Sequence, residues 1–234
     1  MFTLELLQAI NDWQSGGNAK QKKRRGEKLK KLAASLPLRY RQTTVTCYRQ
    51  IALDKHSVWQ VGTQYRLNEG LSAWTTCETI AKEFKGGVPH AGYQGVIFAI
   101  QPGTGLVVIN LTALFKDAKF RKAIEYNKTQ IVAFDKGIGR YGNSQLEVVI
   151  EADCLPLGSL HSWGGYSSPE TKLAEMFLGK PPSEADLRAF RSQMTSSGYT
   201  CGPYWLTTPE SIARISKKLK QFGTELAKSM KALR

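Results

Sequence analysis

A chain of 234 residues, 41% hydrophobic and 10% aromatic, has the length and composition of one large globular domain, or of a core with appendages. No apolar run approaches the roughly 18 residues of a membrane span, and Met1-Phe-Thr-Leu-Glu-Leu-Leu-Gln-Ala-Ile10, with an early acid, no basic start and no small-residue cleavage site, is not expected to be a secretion signal. The formal net charge of +14 is concentrated in two flanks: residues 18–31 carry eight cations against Glu27, residues 212–234 carry seven against Glu225, and about +1 remains for everything between.

In chain order, Phe2, Leu6, Ile10 and Trp13 recur at helical spacing, and Ser15-Gly-Gly17 ends that helix. A basic helix follows from about Asn18 to Leu36, stopped by Pro37, with Leu29, Leu32 and Leu36 as its packing edge. From Thr43 the run Thr-Thr-Val-Thr-Cys-Tyr-Arg-Gln-Ile predicts a strand. Gly70–Thr76 predicts a short strand and Glu78–Phe84 a helix. A glycine-rich loop over 85–92 leads to a strand at Gly95–Ile100, another at Gly105–Ile109 and a helix near Lys116–Tyr126. Thr129–Phe134 then precedes a last strand ending near Glu151, so the middle of the chain reads as strand-rich.

Beyond Cys154 the chain reads as loop and helix. Pro169–Leu178 and Ser183–Met194 are predicted helices, the second opened by a Ser-x-x-Asp cap. Thr208-Pro209 starts a third, whose stripe of Ile212, Ile215, Leu219, Phe222, Leu226 and Met230 is expected to pack on the core. Gly164-Gly-Tyr166 and Tyr199–Trp205 suit a substrate-facing loop or a tight cap, with nothing to choose between them. Organisation is expected as a basic helical segment (1–42), a core (43–153) and a loop-helix region packed on it (154–234).

Cys47, Cys77, Cys154 and Cys201, and likewise His56, His90 and His161, are scattered without paired metal-ligand spacing. Neither a metal nor a disulfide framework is expected, and a reducing cytoplasm is the natural setting. The basic flanks, with Lys22, Lys23, Arg24 and Arg25 in the first and Lys217 and Lys218 in the second, suit a polyanion held through its phosphates, or two solvated helix faces.

The segment Tyr141-Gly-Asn-Ser-Gln145-Leu-Glu147-Val-Val-Ile150 is the densest in chemistry. It reads as a glycine-containing turn entering a strand, in which Gln145 and Glu147 project side by side while Leu146, Val148 and Ile150 face away. Arg49 inside the first core strand, Ala73-Trp74-Thr75 on a later one and Gln145-x-Glu147 on the last come in an order that resembles the ADP-ribosyltransferase superfamily, in the branch with an arginine, a Ser-Thr-Ser-type strand and a terminal glutamate. The resemblance covers roughly residues 43–152.

It implies an α+β fold, a split β-sandwich of two small sheets with flanking helices at both termini, and NAD as co-substrate with no metal. It implies that Glu147 hydrogen-bonds the nicotinamide ribose and favours an oxocarbenium-like transition state, and that Arg49 engages the dinucleotide phosphates. Trp74 and Thr75 fall on the Ser-Thr-Ser strand, whose first position is here Ala73, a hydroxyl lost. His90 or Tyr93, in the loop that closes over NAD in relatives, would stack on nicotinamide. Gln145 stands two residues before the glutamate, a neutral group unable to act as a base near pH 7. It suits an acceptor with an amide-like edge, an Asn or Gln side chain or a nucleobase, and Tyr141 on the turn is placed to stack on a base.

The expectation is a cytoplasmic mono-ADP-ribosyltransferase that modifies an RNA or DNA base, in a toxin or phage–host conflict setting with an antitoxin or immunity protein as partner and no membrane. A protein-directed transferase and a non-catalytic nucleic-acid-binding module are the two alternatives.

Overall fold

Thr3 opens the first helix in the computed structural model: its hydroxyl accepts from the Leu6 N–H, one of the donors a helix start leaves over. The structure describes residues 1–62, 65–67, 69–103, 105–156, 158–166, 170–197 and 204–232. Helix α1 (Leu4–Gln14) buries Leu6, Leu7, Ala9, Ile10 and Asn11. Helix α2 (Ala19–Ala33) starts from a capping box between Asn18 and Gln21 and turns Gly26, Leu29 and Ala33 inward. There follow β1 (Cys47–Asp54), β2 (Leu71–Thr75), α3 (Glu78–Glu83), β3 (Tyr93–Ile100), β4 (Val107–Asn110), α4 (Leu111–Lys116), α5 (Ala118–Asn127), α6 (Ile138–Tyr141) and β5 (Glu147–Glu151). The rest of the chain forms β6 (Leu160–Tyr166), α7 (Glu170–Leu178), α8 (Glu184–Ser196), β7 (Tyr204–Leu206) and α9 (Pro209–Ala232).

The mixed α and β class is as expected, with helices at both ends. The sheet is not. The strands form one hydrogen-bonded order, β4-β5-β2-β1-β3-β6-β7, instead of two small sheets. In that order β1 has a neighbour on each side, so the ladder does not stop there. The registers of β1–β2, β2–β5, β4–β5, β3–β6 and β6–β7 are all antiparallel.

The chain divides into two compact units: Met1–Arg49, Arg66–Glu78 and Ala99–Pro156 form the first, Gln50–Tyr65, Thr79–Phe98 and Leu157–Arg234 the second. In the first, α1 and α2 bury Leu6, Leu7, Ile10, Leu29 and Ala33 in one cluster with Ile109, Leu111, Leu114, Phe120, Ile138 and Val149. Asn11, fully buried, ties α1 to the segment before α6: its amide donates to the Val132 and Ala133 carbonyls, and its oxygen accepts from Ile138 N–H. In the second unit α9 lies on a 3-10 segment, Lys55–Gly62. Gly62 permits that approach, because a Cβ there would stand 2.6 Å from Lys220 N.

Three expectations give way to local physics. Residues 43–46 are not strand, for the Thr43 hydroxyl accepts from Val45 N–H at 3.4 Å and offers the backbone a turn instead. Residues 129–134, to which the sequence assigned no element, run through 3-10 turns with Ala133 left-handed (φ 55°). Beyond residue 154 the chain contains β6 and β7, which the glycines Gly164 and Gly165 disguise; of the aromatic stretch near them, residues 199–203 lie outside the described residues. Along α9, Ile212, Ile215, Leu219 and Leu226 are half-buried, but Phe222 is 53% exposed, and the Met230 side chain lies outside the description.

Candidate functional site

Helix α6 ends at Tyr141, and Gly142 with φ +47° starts a turn that runs through Gln145. Leu146 is itself left-handed (φ 45°), a conformation costing an L-residue about 1–2 kcal/mol. What fixes it is its carbonyl, which accepts from the Thr76 N–H at 3.0 Å and the Thr76 hydroxyl at 3.4 Å. The strand therefore begins at Glu147, and Gln145 stays in the turn. The expected alternation of Gln145 with Glu147 along one strand is corrected by this left-handed residue, although both belong to the same short segment.

Cross-strand partners in an antiparallel ladder point to the same face. Tyr48 of β1 pairs with Thr75 of β2, and Thr75 pairs with Glu147 of β5, giving a row of three side chains. Ala73–Val149 and Leu71–Glu151 continue that face, and it is the one covered by α1 and α2, since Val149 and Leu71 pack in their cluster. Glu147 is only 4% exposed. Its carboxylate receives two side-chain hydrogen bonds, both from the last turn of α1: Trp13 Nε1 donates to Oε1 at 2.6 Å and Gln14 Nε2 donates to Oε2 at 3.5 Å. Burial raises the Glu147 carboxyl above its ordinary pKa, while the Trp13 and Gln14 bonds and the Arg49 charge pull against that rise.

Two small features hold this arrangement. The Gln14 amide also donates to the Gly142 carbonyl at 3.0 Å, so α1 grips the turn as well as the carboxylate. Gly26 of α2 leaves room for the Trp13 ring, from which an added Cβ would stand 3.0 Å. Trp13 and Gln14 do not emerge as site residues from sequence, where Trp13 completes an apolar helical stripe. The available signal was the indole N–H, a donor that needs a partner once the ring is buried.

Arg49 follows Tyr48 on β1. Its guanidinium donates to the Ala73 carbonyl at 2.9 Å and pairs with Glu69, while its side chain stays 17% exposed. Thr75 is 8% exposed, and its hydroxyl accepts from Cys77 N–H. The sequence places Trp74 beside Thr75 as a cofactor contact; the ladder separates them. Trp74 pairs with Val148 on the opposite face, is 2% exposed and donates its indole N–H to Ser72 Oγ at 2.9 Å, which makes it a core residue. Tyr141 is half-buried, with the Arg140 guanidinium 5.3 Å from its ring centre. His90 and Tyr93 are exposed and belong to the second unit, as do the exposed Lys217 and Lys218; the row around Glu147 is built from the first unit alone.

On α2, Lys22, Lys23 and Arg24 are exposed, whereas Arg25 is half-buried and donates to the Gly16 carbonyl. The Cys47 thiol is pushed up to about 12 by burial and is no nucleophile. Among the described residues no group of three or more His, Cys, Asp or Glu is placed to hold a metal ion, and no helix is long and apolar enough to cross a membrane.

Comparison with protein-family models, with curated proteins and with solved structures returned no match. The chemical capacity therefore rests on the residues themselves. A desolvated carboxylate with one oxygen held by an N–H donor can accept a hydroxyl hydrogen bond or stabilise a developing cation, and Arg49 offers a fork suited to phosphate once Glu69 gives way.

Proposed function

We propose that the chain is an NAD-dependent mono-ADP-ribosyltransferase that modifies a nucleic-acid base. The observation that carries this reading is the buried Glu147 carboxylate, aligned through Thr75 with β1 and lying within the influence of the Arg49 charge. In the reaction the bond between the nicotinamide nitrogen and the ribose breaks, and nicotinamide leaves with the electron pair. Glu147 accepts a ribose hydroxyl and stabilises the oxocarbenium-like charge, while Arg49 exchanges Glu69 for a dinucleotide phosphate. A base nitrogen then bonds the ribose carbon and passes its proton to solvent water. Gln145 and Tyr141, on the turn before Glu147, hold the acceptor by an amide edge and a ring face.

The nucleic-acid acceptor is supported by α2, which belongs to the same unit and exposes Lys22, Lys23 and Arg24. An enzyme that marks nucleic acid suits a toxin or phage–host conflict, with an antitoxin or immunity protein as its partner. The test is incubation with NAD labelled in its adenylate half together with RNA, DNA or cell protein. Label is expected in nucleic acid; label confined to protein would overturn the acceptor, and neither transfer nor nicotinamide release would favour a binding module without catalysis.

A further inference from the structure

Glu147 is held from outside its own sheet. Its cross-strand neighbour Thr75 makes its hydroxyl contact with Cys77 N–H, from which it accepts, and Ala73 on the same face has no polar side chain to offer. The two donors that reach the carboxylate come from α1, the short one from Trp13 at 2.6 Å and the long one from Gln14 at 3.5 Å. This asymmetry divides the two oxygens. Oε1 is held by a short bond, and Oε2 is held at the edge of hydrogen-bonding range. The indole is itself clamped, with α2 approaching through Gly26 on its other side, whereas the Gln14 amide has the Gly142 carbonyl as an alternative acceptor.

We propose that Trp13 is the positioning residue of this site: its indole N–H fixes Oε1 of Glu147 so that Oε2, releasing Gln14, is the oxygen that receives the substrate hydroxyl. Its role in turnover rests on the transferase reading above. The positioning contact itself does not. The charged group acting on the carboxylate is Arg49 of β1, whose guanidinium is shared with Glu69 and the Ala73 carbonyl; α1 brings Trp13 and Gln14, and β2 brings Thr75. With the N–H removed, the neutral acid gains on the carboxylate, because a bond that favours the charged form is lost.

The experiment uses the full chain with Trp13→Phe and with Trp13 replaced by β-(3-benzothienyl)alanine, which keeps the ring volume and lacks the N–H, so that a folding defect of the phenylalanine variant does not decide the outcome. The Glu147 carboxyl is titrated by carbon NMR, assigned with Glu147→Gln, and nicotinamide release from NAD is followed across pH. In both variants the carboxyl titration is expected to move upward and the acid limb of the kcat profile to move with it. At its optimum kcat falls roughly ten- to hundred-fold, the loss of one hydrogen bond to a charged group, with KM for NAD little changed. An unmoved titration in the benzothienyl variant would overturn the role of Trp13 whatever the turnover shows. A parent protein that releases no nicotinamide would overturn the transferase reading whatever the titration shows.

Discussion

Glu147 carries a local conflict, a carboxyl at 4% exposure whose pKa is raised by its burial. A raised carboxyl binds its proton more tightly in the folded protein than in the unfolded chain. Its contribution to stability is therefore complete below the ordinary carboxylate range and is lost as pH rises through the raised value. Glu147→Gln removes the ionisation while keeping an acceptor for Trp13, so it is expected to melt roughly 2–4 °C above the parent at pH 8, about 1 kcal/mol, with the gap closing towards pH 4. Thermal melts across pH decide this; a variant less stable than the parent at pH 8 contradicts it. Arg49 gives a second prediction, since Glu69 competes with any phosphate for its guanidinium. Glu69→Gln is expected to lower KM for NAD two- to five-fold with kcat unchanged, the range of a partly exposed ion pair, in steady-state kinetics. At this scale the strand positions of Glu147 and Arg49 were legible from the apolar runs around them, whereas their alignment through Thr75 was not, because it depends on which strands pair. Trp13 and Gln14 were not, because they meet Glu147 across more than 130 positions of chain, a separation that no local pattern encodes.

Helices and strands with a clear period were readable, and those shaped by side-chain competition were not. α1 and α2 follow from their apolar spacing, with the Thr3 and Asn18 caps added by the structure, and β5 follows from Val148, Val149 and Ile150. Its first residue was misplaced because the left-handed Leu146 is set by Thr76, a residue on a different segment. β6 was lost among its own glycines. The link from α1 to α6 through Asn11 has a measurable weight: Asn11→Ala strands the buried Ile138 N–H and removes the amide that binds the more exposed Val132 and Ala133 carbonyls, and is expected to cost ~2 kcal/mol in denaturant unfolding. Gly26→Ala tests the clamp on the indole from the far side. The added methyl group stands 3.0 Å from the Trp13 ring while helix propensity improves by about 1 kcal/mol, so stability is expected to hold as turnover falls by a few-fold. Turnover equal to the parent's would show that the ring position is immaterial.

Across the whole molecule the charge is the simplest quantity to read and the one with the broadest consequence. Of the +14 net charge, about +7 lies in residues 18–31, and Lys22, Lys23 and Arg24 there remain exposed on the folded chain. Replacing these three by Gln is expected to weaken single-stranded nucleic-acid binding and to reduce the slope of log K against log salt by about 2, close to 0.7 for each lost contact. A slope unchanged by the triple substitution would move the polyanion surface elsewhere. The sheet count was the least legible property at this scale, since strand order depends on which edges meet and not on the strands' own composition. Nicotinamide release from NAD by the parent and by Glu147→Gln, measured with nucleic acid present, is the most direct measurement of all. Release by the parent and its loss in the folded Glu147→Gln variant is the predicted result; equal release by both, or none by the parent, would contradict the assignment of Glu147 as the centre of an NAD-cleaving site.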